Sequence, residues 1–266
     1  MSDAAIGQRE DRDFVTALAR GLEVLTCFGS GDRLLGLTEI AQMCRLPKST
    51  VARLTHTLVQ LGYLSCVPES GKYRLGTATL ALGAAILARL DVRQIARPLM
   101  QELADATGAL VSLGTRDRLS IIYVESCRGG SIVTLRLDVG SRIPIATTAI
   151  GRAYLAAAPA SERNEVLERL RELDDASWQK VEAGVDAALD EYARTGCCSS
   201  MGEWNSQVNS IAAPFDPGGG LPRMAINVAG LAQAYPRDKV LDEFGPMLLE
   251  LVGKVESRLG RRQPRP

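Results

Sequence analysis

The stretch LTEIAQMCRLPKSTVARLTHTLVQLGYL, residues 37–64, decides the fold of the first part of this chain. It holds two runs of helical periodicity. Leu46-Pro47 separates them, because proline disfavours a helical residue before it and suits the first turn of a new helix. We predict that Thr38 is the N-cap of the first helix. The second helix is expected to bury the apolar residues that recur at steps of three and four, Val51, Leu54, Leu58 and Leu61. Two short helices joined by a tight turn are typical of a helix-turn-helix.

The opposite face of this second helix is polar and basic. Together with one residue of the preceding turn, it supplies the candidate DNA contacts Arg45, Lys48, Ser49, Thr50, Arg53 and Thr57. A helix of this kind enters the major groove, where arginine pairs bidentately with guanine and residues near the helix start contact phosphates. We therefore predict that Arg53 reads a base, whereas residues 48–50 position the protein on phosphates.

Two short alternating runs follow the second helix. YLSCV and KYRL flank the turn residues 68–71, a pattern that predicts a β-hairpin. Lys72 and Arg74 are expected on its outward face, as contacts to phosphate or to the minor groove. Between Arg45 and Leu75 five basic residues stand against one acidic residue, which indicates a basic surface. A hairpin in this position makes the helix-turn-helix winged.

From residue 77 onward the pattern predicts a linker helix and then an α+β domain. Residues 77–90 are rich in small side chains, so we expect this helix to pack against another helix, from a second subunit. The other predicted helices are 91–107, 149–158, 161–173, 177–195 and 240–259. The predicted strands are 109–115, 119–127, 131–137, 197–202, 208–215 and 223–230. Strands interleaved with helices, one of which lies against the sheet, are typical of a sensor domain.

Composition restricts the classes of function. The chain has 266 residues, enough for two domains, and its basic and acidic residues balance at 31 each. No apolar run reaches the ~18 residues that span a bilayer, and the first residues are polar, so we expect a cytoplasmic protein. His56 is the only histidine, and the six cysteines form no CxxC pair. We therefore predict no metal site, no cofactor and no catalytic residue, and we expect reduced thiols.

With these elements in this order, the chain resembles the IclR family of transcriptional regulators from about Phe14 to Leu259. The residues that carry the resemblance are ARGLEVL at 19–25, the stretch 37–64, KYRLG at 72–76, GSRIPIATTAIGRAYLAA at 140–157, IAAPF at 211–215 and MAINVAG at 224–230. The opening DFVTALARGLEVL is similar to members that govern aromatic-acid catabolism, including protocatechuate and 4-hydroxybenzoate regulators. The resemblance implies a winged helix-turn-helix at 13–76, a linker helix at 77–90 and a GAF-like effector-binding domain at 91–260.

The resemblance also implies an effector pocket between the turn that precedes the helix at 149 and the last three strands. Carried over position by position, this pocket falls on Thr147, Thr148, Ala149, Ile150, Ser200, Ser210, Asn227 and Ala229. Members that bind glyoxylate or pyruvate have a smaller residue in place of Ile150 and an acid in place of Ser200. These departures favour a different ligand. Trp204 is expected either to close over the ligand or to cap the sheet edge.

The resemblance therefore implies a homodimer or homotetramer that binds double-stranded operator DNA and a small carboxylic or aromatic acid, with no membrane partner. Two alternatives stay open. One is a DNA-binding regulator that is controlled by a protein partner. The other is an enzyme on the C-terminal fold with a vestigial helix-turn-helix, against which the lack of histidine and of activated-nucleophile motifs after residue 91 argues.

Overall fold

The structure, a computed structural model, describes residues 13–28, 34–88, 91–130 and 137–260. The chain divides into two compact units, Met1–Arg89 and Leu90–Pro266, and each is described by itself. The first contains helices and a hairpin, and the second contains a large sheet with helices. None of the described helices is long and apolar enough to cross a membrane.

The first unit is a winged helix-turn-helix, as predicted. Its elements in chain order are α1 Thr16–Thr26, α2 Leu37–Cys44, α3 Lys48–Gln60, β1 Leu64–Val67, β2 Lys72–Leu75 and α4 Thr77–Ala88. β1 and β2 pair antiparallel, with Val67 opposite Lys72. Leu35 and Tyr73 exchange backbone hydrogen bonds of 3.1 and 2.8 Å, which attach the segment before α2 to the wing.

Two details of the helix-turn-helix differ from the prediction. Gly36, not Thr38, is the N-cap of α2, because the helix begins at Leu37 and Glu39 Oε2 accepts the Gly36 N–H at 2.7 Å. Leu61 is 60% exposed, because α3 ends at Gln60 and the chain turns away from the core there. The core of this unit is made of residues from α1, α2, α3 and β1, among them Val24, Ile40, Val51, Leu58 and Leu64.

The predicted small-residue helix is α4, and it exposes large apolar side chains in its first two turns. Leu80 is 72% exposed and Leu82 is 56% exposed. An apolar surface of this kind favours burial against another protein surface. Its packing against a second subunit stays a prediction.

Within the described residues, the second unit is built around a six-stranded antiparallel sheet with strand order β5-β4-β3-β8-β7-β6. Its strands are β3 Leu110–Asp117, β4 Ser120–Arg128, β5 Arg142–Pro144, β6 Cys198–Met201, β7 Val208–Phe215 and β8 Met224–Leu231. Its helices are α5 Asp91–Thr107, α6 Ala149–Ala157, α7 Ala160–Leu173, α8 Trp178–Thr195 and α9 Gly245–Arg258. The α+β prediction is confirmed.

Two features of the second unit differ from the prediction, and a third prediction is not tested. The strand expected at 131–137 lies almost entirely outside the described residues. The short strand β5 pairs with β4 through Ile143 and was not predicted. The single helix expected at 240–259 begins as a π-helical turn, Lys239–Phe244, before α9. Pro246 stands at this junction, where its missing N–H removes one donor from the regular α-helical pattern.

The two faces of the sheet pack against different helices. On one face Glu125 of β4 forms ion pairs with Arg93 and Arg97 of α5, with N–O distances of 2.7 and 2.6 Å. On the other face a Cβ atom placed on Gly114 would lie only 3.1 Å from Cδ1 of Ile150, in α6. A register shift beside Gly114 leaves Val124 as an extra residue of β4. The sheet therefore has an α5 face and an α6 face.

Candidate DNA-binding surface and effector site

Most of the predicted DNA contacts on α3 are exposed together. Four of them lie in solvent, Lys48, Ser49, Arg53 and Thr57, whereas Thr50 is half-buried. The Thr57 hydroxyl donates a hydrogen bond to the backbone oxygen of Arg53 at 3.1 Å, so it can still accept one from outside the helix. His56 is also exposed on α3, within one turn of Arg53.

Arg45 occupies the turn of the helix-turn-helix. It ends α2 in the left-handed conformation, with φ 51°, and its side chain is exposed. Its backbone N–H donates to Gln42 O at 3.4 Å. This turn sets the angle at which α3 leaves α2. Arg45 therefore has a structural role in the turn and also places a positive charge in solvent.

The wing presents its two basic residues differently. Arg74 is exposed opposite Ser65, whereas the Lys72 ammonium lies 3.4 Å from Glu39 Oε2 of α2. Both side chains of that ion pair are nearly half exposed, so the pair contributes little to stability. The Lys72 ammonium can therefore leave Glu39 and bind a phosphate instead. The pairing between Lys72 and Glu39 could not be read from local sequence.

The described cysteines do not form a metal site. Groups of three or more potential ligands are absent from the described residues. Cys27 and Cys44 lie with their sulfur atoms 3.2 Å apart in the core of the first unit, and burial is the largest cause that raises the pKa of Cys44, to about 12. The Cys44 thiol is therefore protonated at neutral pH, and both cysteines are packing groups of the core.

In the second unit, the predicted effector residues on the strands share the α6 face. Cross-strand register aligns Ser200 with Ser210 and Ser210 with Ala229 in one row. Asn227 lies in the neighbouring row, beside Ala212 of β7 and Ser112 of β3. Because paired residues of a sheet point to the same side, these side chains form one continuous patch.

The turn before α6 meets this patch at its edge. Ser200 Oγ donates a hydrogen bond to the backbone oxygen of Thr147 at 2.8 Å. Thr148 is the N-cap of α6, where its hydroxyl donates to Pro144 O at 2.6 Å and accepts from Gly151 N at 3.3 Å. Ala149 and Ile150 are fully buried in the core of this unit. The structure thus brings the turn and the strand residues together, and gives Thr148 and Ile150 clear packing roles.

Three further polar residues belong to the same patch and were not predicted. Ser112 and Tyr123 are almost fully buried, and Ser112 Oγ lies 3.2 Å from Ser126 Oγ. Burial raises the pKa of Tyr123 to about 12, although hydrogen bonds with Asn227 and Ser112 act in the opposite direction. Ser112 is an isolated polar residue in the apolar run ALVSLGT, and that isolation was the available signal. We call Ser112, Tyr123, Ser126, Ser200, Ser210 and Asn227 the polar patch.

A buried arginine fixes α6 to the loop between β6 and β7. Arg152 Nη1 and Nη2 donate to the two carboxylate oxygens of Glu203 at 2.7 and 2.5 Å. The same guanidinium donates to Ala146 O at 2.9 Å and to Ser199 O at 3.3 Å. A Cβ atom placed on Gly184 of α8 would lie 2.3 Å from Arg152 Nη2, so the glycine leaves room for the guanidinium. The neighbouring Trp204 packs against the core around α6.

Glu203→Gln is expected to make unfolding of the second unit less sensitive to acid. The hydrogen bonds from Arg152 hold the pKa of the Glu203 carboxyl below its usual value of 4.5. A carboxylate with a depressed folded pKa stabilises the protein above its unfolded pKa, and the contribution is lost as the pH falls through the folded pKa. Urea unfolding at pH 7 and at about pH 3, followed by tryptophan fluorescence, measures how much of the free energy of unfolding each protein loses in acid. An identical pH dependence in both proteins would contradict the prediction.

Comparison with known proteins agrees with both units. Residues 17–68 match the IclR helix-turn-helix domain, and residues 84–257 match the C-terminal domain of the bacterial transcriptional regulator IclR. The HTH-type transcriptional regulator TsaQ1/TsaQ2 of Comamonas testosteroni is 34% identical over 97% of this chain and 93% of its own length.

Solved structures are similar over more than nine-tenths of the chain. An IclR family transcriptional regulator from Brucella abortus is 45% identical, with a TM-score of 0.85 and 96% of each chain covered. An IclR homologue from Microbacterium hydrocarbonoxydans, crystallised with 4-hydroxybenzoate, has a TM-score of 0.72. It is 23% identical, over 92% of this chain and 99% of its own, so this likeness is one of fold. The chain belongs to the IclR family of DNA-binding transcriptional regulators.

Proposed function

We propose that this regulator binds operator DNA through α3 and the wing, and that a small organic acid bound in the second unit changes its affinity for DNA. We assign DNA binding to residues 13–76, the linker to 77–90 and effector binding to 91–260. The contact between Ser200 and the turn at Thr147 is the observation that carries the effector proposal, because it joins the two predicted halves of the pocket.

The DNA-binding part of the proposal rests on exposure and charge. The exposed side of α3 carries Lys48 and Arg53, and the exposed arginine of the wing lies on β2. These cations match the two contacts that a winged helix-turn-helix makes, with base edges in the major groove and with the phosphate backbone. The proposed contacts are Arg45, Lys48, Ser49, Thr50, Arg53, Thr57, Lys72 and Arg74.

The effector part rests on the chemistry of the α6 face. A ligand there would meet neutral hydroxyl and amide groups from the polar patch and the backbone N–H groups at the start of α6. The latter suit a carboxylate, because the first turn of a helix has unpaired donors and a positive dipole end. The proposed contacts remain Thr147, Thr148, Ala149, Ile150, Ser200, Ser210, Asn227 and Ala229. The 4-hydroxybenzoate bound by the Microbacterium protein supports the choice of an aromatic acid as the first probe.

The regulator is proposed to act as a homodimer or a pair of dimers. The exposed leucines of α4 favour burial against the same helix of a second copy. Two copies of α3 would then read the half-sites of a near-palindrome, since the symmetry of a dimer sets their spacing. A ligand that binds one arrangement of the dimer more tightly shifts the population and therefore the affinity for the operator.

A thermal-shift screen tests the effector proposal. We expect one or more of benzoate, 4-hydroxybenzoate and protocatechuate to raise the melting temperature of the full chain, because a ligand that binds only the folded state stabilises it by mass action. Pyruvate and glyoxylate are expected to have less effect. Ser210→Ala should reduce the shift, since it removes a buried hydroxyl from the polar patch with little change in volume.

Ser65→Ala is the matched control, because Ser65 is a strand serine of the first unit. Its thermal shift should equal that of the wild type. A regulator that responds to no acid in a broad panel, yet binds its operator, would contradict the effector proposal and favour control by a protein partner.

A further inference from the structure

The amide group of Asn227 is the feature of the polar patch that the proposed function leaves unexplained. Asn227 is 2% exposed, and its Oδ1 atom has no hydrogen-bond partner among the described residues. Buried polar groups almost always have a partner, so an unpaired one is an available acceptor for a ligand or a water molecule. The position is an interior one of β8, where backbone pairing on both sides holds the residue in place.

The groups around Asn227 are neutral. Ser112 lies directly opposite it on β3, Ala212 lies opposite it on β7, and Tyr123 hydrogen-bonds with it. Because burial raises the pKa of Tyr123 to about 12, its hydroxyl is protonated at neutral pH. A ligand atom next to Asn227 would therefore be surrounded by hydrogen-bonding groups that carry no charge.

The nearby charged side chains are turned to other partners. Glu125 lies on the α5 face, paired with Arg93 and Arg97. Arg128 binds Leu137 O and Asp138, at 3.2 and 2.7 Å. A carboxylate beside Asn227 would thus be buried without a cation, which is costly. A neutral hydroxyl group meets no such penalty.

We propose that the effector carries a hydroxyl group that binds Asn227, in addition to its acidic group. This inference rests on the proposed effector site and specifies the chemical class of the ligand as a hydroxylated acid. The hydroxyl donates to Asn227 Oδ1, and the hydrogen bond with Tyr123 holds the amide in position. A hydroxyl both donates and accepts, so it matches the amide in either of its two flipped orientations.

Calorimetric titration of the full chain with matched pairs of acids tests this inference. The pairs are benzoate with 4-hydroxybenzoate, benzoate with 3-hydroxybenzoate, and propionate with 3-hydroxypropionate. We expect at least one hydroxylated member to bind the wild type about tenfold more tightly than its partner, the effect of one net hydrogen bond. In Asn227→Leu the difference should fall below twofold.

Asn164→Leu is the control, since it makes the same substitution at an exposed position of α7 and should keep the tenfold difference. If Asn227→Leu does not fold, Asn227→Ala replaces it, and the wild-type comparison by itself already decides whether a hydroxyl is preferred. Acids that bind the wild type with equal affinity in every pair would overturn the inference and leave the proposed effector site intact. A tenfold difference that survives in the Asn227 variant would also overturn it. If no acid binds at all, both the proposed effector site and the hydroxyl contact with Asn227 are contradicted.

Discussion

Arg53→Ala is expected to weaken specific operator binding by about ten- to hundredfold, which corresponds to ~1–3 kcal/mol for the loss of a bidentate contact with guanine. Arg53 is exposed on α3, and the helix backbone around it is held by the buried residues Val51 and Thr55 on the opposite side. Removal of its side chain should therefore leave the fold unchanged. Fluorescence anisotropy with an operator selected from randomised DNA measures the loss, and a random duplex measures non-specific binding.

Two other residues of α3 make the test specific. Gln60→Ala, at the exposed end of the same helix, is expected to bind the operator like the wild type. Lys48→Ala should weaken binding to all sequences alike and lower the salt slope by about one, because a phosphate contact releases a counterion whatever the sequence. Unchanged operator protection by Arg53→Ala in footprinting would show that another residue reads the base.

Arg152→Met is expected to destabilise the second unit by about 3 kcal/mol, at the lower end of the cost of breaking a buried ion pair. The substitution removes two hydrogen bonds to Glu203 and two to the backbone oxygens of Ala146 and Ser199. The Glu203 side chain is 39% exposed, so water can rehydrate it and limit the loss. Both tryptophans, Trp178 and Trp204, belong to the second unit, so their fluorescence during urea unfolding reports this unit alone.

Arg169→Met provides the comparison for this measurement. Arg169 pairs with Glu165 at 3.5 Å on the surface of α7, and both side chains are more than half exposed. Surface pairs contribute little, so this variant should differ from the wild type by at most about 0.5 kcal/mol. Equal destabilisation by the two substitutions would mean that burial of Arg152 is not what makes its ion pair strong.

Periodicity predicted most of the elements, because α3, α5, β7 and β8 each bury one face or lie fully inside the unit and therefore repeat regularly. It failed where local pattern is weak. The strand β5 has three residues and one buried side chain, too few for a pattern. The true N-cap of α2 is a glycine, and what identifies it is the hydrogen bond from its own N–H to Glu39.

The same distinction separates the two candidate sites. The DNA contacts on α3 are close in sequence, so helical spacing alone puts Ser49, Arg53 and Thr57 on one face of the helix. The polar patch joins strands that are far apart in the chain, such as Ser112 and Asn227, and only cross-strand register brings them together. Family resemblance supplied Asn227 but not Ser112 or Tyr123, because these lie on β3 and β4, outside the matched pocket positions.

Gly184 and Arg152 are tied together by the space they share in the interior of the second unit. A glycine within a helix lowers its stability by roughly 1 kcal/mol relative to alanine, so position 184 is costly unless something needs the room. The guanidinium of Arg152 needs it. The residues at these two positions should therefore covary among relatives. Relatives that keep the arginine are expected to keep the glycine, whereas a larger residue at 184 should accompany a shorter, uncharged side chain at 152.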